Sequence, residues 1–203
     1  MLVEIKNPII LPQTLFMKNL SLFLFIALFS SCTKVMFLAY GISKPKVITQ
    51  EKVERHILKY ELKSEYSLAI SDTGYHKYML QGLDINEIFL YTKDGKLVLP
   101  EDTNSCSSAS FDFIDVFRDT NYAYLRDTNS MNAFHPYFRN LDGSPCVLEN
   151  NKPYTAVVFW ASWAGRLNKD LSAKWVEQLK KHEDVTVVCV SLDMRDFWPN
   201  TEK

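Results

Sequence analysis

Glycine, cysteine and surplus charge are all scarce in this chain, and each scarcity removes a class of function. Six glycines in 203 residues form no Gly-rich phosphate loop and no G-x-S-x-G elbow, and Gly165 stands alone at an expected turn, so neither phosphate cradling nor a serine-hydrolase elbow is indicated. Twenty-three Lys and Arg balance 24 Asp and Glu. No basic cluster is dense enough to hold a phosphate backbone, which removes nucleic acid as a partner. His56, His76, His135 and His182 are scattered, none at metal-ligand spacing from another His or Cys, so no metal site and no cofactor are expected. The acid pairs Glu51 with Glu54 and Asp112 with Asp115 sit one turn apart on expected helices and read as solvated faces. What the chain does have is 47% hydrophobic and 13% aromatic residues, enough for the core of one ordinary domain or two small ones.

The N-terminus reads as an export signal. Lys18 precedes the apolar stretch Leu20–Phe29, followed by Ser30, Ser31 and Cys32. Ten residues are too few for a bilayer core that needs about 20. Met17-Lys18 places the positive charge directly before this stretch, which suggests Met17 as the true start. Leu28-Phe29-Ser30-Ser31-Cys32 is similar to the lipobox of bacterial lipoproteins, with the Leu one step further back than usual. The resemblance implies that Cys32 is acylated and becomes the first residue after cleavage. Two readings compete: a secretory signal with a soluble product, and an uncleaved signal anchor from Leu20 to Tyr40. Against the anchor, Lys34 would cost about 2.5 kcal/mol or more at bilayer depth.

Export favours oxidised thiols, and setting Cys32 aside leaves three cysteines of the four. Cys189 lies in the apolar run 185–190 and reads as a small buried hydrophobe. Cys106 and Cys146 each follow a polar turn, so a disulfide between them is one candidate pairing that sequence cannot fix.

The final third has the strongest pattern. Asp142-Gly143 marks a hairpin, residues 155–161 a strand, and Leu167, Leu171, Trp175 and Leu179 an apolar helical stripe, with Lys169, Lys174, Glu177 and Lys180 on the solvent side. Residues 185–192 follow as a second strand, and short connections make strand, helix and strand a right-handed parallel unit. Across about residues 138–197, from the Asp-Gly hairpin through Phe159-Trp160-Ala161-Ser162-Trp163 to Val190-Ser191-Leu192-Asp193, the chain resembles exported thioredoxin-like proteins. The resemblance implies a C-x-x-C redox site at the helix start. Here that site reads Ala164-Gly165-Arg166-Leu167, with Arg166 for the usual proline and neither cysteine. Such a site works because the helix N-terminus favours a thiolate that attacks and a second cysteine that resolves. Ala164 cannot attack and Leu167 cannot resolve. Trp160, Trp163 and Arg166 remain as a candidate binding surface, with core packing as the other reading of the tryptophans.

Residues 137–203 number 67, short of the roughly 100 that a self-sufficient domain of this type needs. Upstream, residues 49–63 read as a helix carrying Val53, Ile57, Tyr60 and Leu62, 67–70 as a strand, 75–81 as a helix, 87–99 as a hairpin turning at Asp94-Gly95, and 111–117 as a closing helix. Asn86 falls where the resemblance would place a cis-proline. The expected organisation is a signal over 1–31, an anchor and linker over 32–48, a small α/β module over 49–118 that is itself degenerate thioredoxin-like or unrelated, a linker over 119–137, and a truncated thioredoxin-like domain over 138–203. The alternative is that both α/β segments share one sheet. Fold class is therefore α/β. The expected function is a lipid-anchored envelope protein that binds a protein partner or serves structurally, without dithiol chemistry. The alternative is a divergent thiol-disulfide oxidoreductase using Cys106 or Cys146.

Overall fold

A computed structural model describes residues 37–80, 87–99, 113–115, 117, 123–124, 131–149 and 151–198. The expected signal, Met17, Cys32, Asn86 and Cys106 lie outside these residues. Met1–Ala39 and Tyr40–Lys203 form two units, and the sheet with its covering helices belongs to the second.

At the centre of that unit is a mixed seven-stranded sheet in the order β4-β3-β2-β6-β7-β1-β5, made of Tyr66–Ile70 (β1), Ile88–Thr92 (β2), Leu97–Leu99 (β3), Ala123–Tyr124 (β4), Phe138–Asn140 (β5), Tyr154–Trp160 (β6) and Val185–Ser191 (β7). The two central strands β6 and β7 run parallel and are buried almost throughout, as their continuous apolar sequences require when both faces are covered. β1 extends the parallel set beside β7, and the β2–β3 hairpin lies antiparallel against β6, with Phe89 opposite Val157. Segments on both sides of the expected linker therefore build one sheet. The structure adopts the shared-sheet arrangement, not two bodies divided at residues 119–137.

The linker reading needs correction as well. Residues 119–137 contribute β4 and the helical residues Met131–Phe134 (α3), continued by a tight 3-10 turn at His135–Tyr137. Phe134 is buried against Tyr78, Phe89 and Phe159. A polar, turn-rich sequence concealed this because a few side chains, Phe134 with Met131, Ala133 and Tyr137, supply the burial that fixes the segment.

Helices cover both faces. Gln50–Tyr60 (α1) buries Val53, Ile57 and Tyr60, the apolar stripe read from the sequence. It ends at Glu61 in a left-handed conformation (φ 61°), and Leu62 N then donates to Ile57 O at 2.9 Å, closing the helix as a left-handed cap does. Ala173–Leu179 (α4) packs on the same face through Trp175, Val176 and Leu179. Asp72–Leu80 (α2) and α3 cover the other face, where Phe89, Phe159, Val188 and Val190 form the core with Tyr78 and Phe134. At Asp94-Gly95 the hairpin turns as expected, with Gly95 at φ 79° and Thr92 N donating to Lys96 O at 2.9 Å.

Candidate functional site

Ala164 to Leu167 sit where β6 ends and the following helix begins. Trp160 is the last residue of β6, Ser162–Ala164 form a 3-10 turn, and a π-helical turn at Asn168–Ser172 leads into α4. The expected strand-turn-helix placement of Trp163 and Gly165 is thus met. The expected binding surface is not: Trp160 and Trp163 are both buried, packed into opposite face cores. Only Arg166 is exposed, and its guanidinium pairs with Asp170 at 3.4 Å. Large apolar rings beside a sheet are worth more inside the core than on its rim. Leu167, expected to start the buried stripe, is half-buried.

Polar groups that sequence reading did not bring together hold the turn. Parallel register sets Trp160 opposite Ser191, so the chain two residues beyond each strand end places Ser162 beside Asp193. The buried Asp193 carboxylate accepts from Ser162 N at 3.0 Å, Ser162 Oγ at 2.6 Å and Ser191 Oγ at 2.8 Å. Burial pushes its pKa up despite these donors. On the far side of the turn, fully buried Asn168 donates from Nδ2 to Ala161 O at 2.7 Å and Gly165 O at 3.1 Å, and accepts from Ala161 N at 3.4 Å. Ser162 and Asp193 were visible in the sequence as individual residues, but only the register pairs them.

The chain's own residues 40–48 cross the carboxyl ends of β6 and β7. Arg166 N donates to Tyr40 O at 2.7 Å, Ser43 N to Trp163 O at 2.9 Å, and Ile48 N to Met194 O at 2.9 Å. Gly165 makes this approach feasible. Its backbone lies at φ 59° and ψ −130°, and an added Cβ would come within 2.2 Å of Tyr40 O and 2.5 Å of Gly41 O. In open α/β sheets the crevice beyond the carboxyl strand ends is where ligands bind. Here a strap of backbone occupies it.

No thiol stands at the turn. The Ser162 hydroxyl is committed to Asp193. Cys146 is a free, half-buried thiol whose pKa burial raises, and its candidate partner Cys106 lies outside the described residues. Cys189 is buried in β7 with its thiol pushed up to about 11, as its apolar surroundings require. Among the described residues no group of His, Cys, Asp or Glu is arranged to hold a metal ion, and no helix is long and apolar enough to cross a membrane. No family model, curated protein or solved structure matches the chain.

Proposed function

We propose that this protein is an exported, lipid-anchored thioredoxin-like scaffold that binds a protein partner or serves structurally in the cell envelope, without exchanging electrons. One observation carries the reading. The turn that would present two sulfurs instead presents Ala164 and Leu167 and is covered by Tyr40 to Ser43 through two backbone hydrogen bonds. The antiparallel β2–β3 hairpin beside β6 is compatible with it, although this hairpin precedes β6 in the chain where the resemblance would have one follow β7. Tyr40 follows Cys32 by eight residues, so acylation at Cys32 would tether the strap itself. The strap shows what the turn accepts, a backbone that bends at Gly41 (φ 65°), offers the Tyr40 carbonyl to Arg166 N and takes the Trp163 carbonyl with its Ser43 amide. A partner segment of that kind would compete with the strap.

The oxidoreductase alternative draws no support from Cys146, whose raised pKa disfavours the thiolate that exchange needs. An insulin-reduction assay separates the readings. The binding reading expects no turnover; turnover abolished by Cys106→Ser or Cys146→Ser defeats it. For the anchor, a labelled fatty acid is expected to enter the wild type and not Cys32→Ser, and an unlabelled wild type in the soluble fraction overturns that part.

A further inference from the structure

We infer a second, independent site, a recess at the opposite end of β6 that takes a small neutral hydroxylated ligand the size of a monosaccharide. The recess measures about 360 Å³, within the range of small-molecule sites. Its floor is Thr155 of β6 with Thr186 and Val188 of β7, and its wall is Asn132 and His135. Thr155 and Thr186 are paired in the sheet register. The wall is fastened to the hairpin by Met131 N, which donates to Gly95 O at 3.0 Å.

Two buried polar atoms at this recess have no hydrogen-bond partner, Thr155 Oγ1 and His135 Nε2. Thr155 is only 2% exposed. Orphaned buried polar atoms are costly, and native structures keep them where something else satisfies them. Two such atoms at one cavity form a pair of anchor points for one ligand. A threonine hydroxyl donates and accepts, and a neutral imidazole nitrogen does one or the other according to its tautomer. Groups that switch roles match ligand hydroxyls, which switch roles too. The charged residues at the recess are Lys93, Asp94 and Glu149. Asp94 is paired with Lys96 at 3.2 Å, which leaves Lys93 against Glu149, so the recess carries no net charge to select an ion.

The test is a titration of the full chain with glycerol, glucose and N-acetylglucosamine at millimolar concentration, followed by backbone amide shifts. At least one of the three is expected to give saturable shifts centred on Thr155, Thr186 and Asn132. Thr155→Val keeps the shape, removes the hydroxyl and should weaken that binding at least about tenfold; Thr155→Ser should retain it. Absence of saturable shifts with all three probes overturns the proposal, as does equal binding by Thr155→Val. Acetate shifting the same amides at lower concentration overturns the neutral-ligand assignment. None of these outcomes depends on the turn at Ala164 or on lipidation.

Discussion

The two ends of β6 solve the same problem in opposite ways. Beyond Trp160, the polar groups that make the turn are bonded to one another: Ser162 and Ser191 to Asp193, Ala161 and Gly165 to Asn168, and Trp163 and Arg166 to the strap. The indole N–H groups of Trp160 and Trp163 are left over. At the Thr155 end the floor of a recess keeps its hydroxyl unbonded, and a histidine nitrogen of the wall is in the same condition. A turn whose amides, hydroxyls and carboxylate bond one another is a structural joint, whereas unbonded groups on residues that line a recess are ready for something from outside. By this standard the position that looks like a redox centre in sequence is the joint, and an end with no motif is the receptive surface.

The largest test of the comparison is Asp193→Ala. It orphans the Ser162 amide and two hydroxyls, and chemical denaturation should show a loss of about 2–3 kcal/mol, below the sum of three bonds because burial already disfavours the carboxylate. A loss under about 0.5 kcal/mol, the usual level for surface changes, would mean the turn is not held this way.

Gly165→Ala comes next. Its backbone conformation and the close approach of Tyr40 O together predict a loss of about 2 kcal/mol. Hydrogen exchange should show protection of the Ser43 and Arg166 amides disappearing while β6 and β7 stay protected, because the new methyl evicts the strap. Retained protection at both amides would show that the strap is not seated on Gly165.

A matched pair sharpens the contrast by sign. Ser162→Ala removes a satisfied hydroxyl and should cost about 1 kcal/mol, while Thr155→Val removes an orphaned one and should stabilise the unliganded protein by up to about 1 kcal/mol. Melting temperatures moving in the same direction would erase the distinction between the two ends.

The smallest effect is in pH. Asp193 has a folded pKa above its ordinary 3.8 because burial outweighs its donors. The folded state then holds the proton more tightly than the unfolded one, so its contribution is fully present below about pH 3.8 and is lost as pH rises through the folded value. His56 of α1, itself held below its usual pKa by burial, is the charged neighbour that partly opposes this rise. Asp193→Asn should flatten the stability curve over that acidic window, and an unchanged slope would assign the titration elsewhere.

Much of the framework was legible because it rests on local patterns. The stripe Val53, Ile57 and Tyr60, the Asp94-Gly95 turn and the apolar runs of β6 and β7 each follow from periodicity or from one residue's backbone preference. Phe134 was not legible, since Met131, Phe134 and Tyr137 span too few residues for a period to stand out. Asn168 and Asp193 were hidden for a related reason: buried polar residues look like surface residues until their partners are known.

By itself the sequence determined that this is an α/β chain with a sulfur-free turn between a buried strand and a helix, because strand burial, helical spacing and the absence of cysteine are properties of neighbouring residues. Tertiary structure alone decided that two segments separated by an apparent linker share one sheet, that both tryptophans face inward, and that residues 40–43 close the turn. Those outcomes depend on strand register and on backbone meeting backbone across long stretches of chain, and no local pattern encodes which distant partner a hydrogen bond will find.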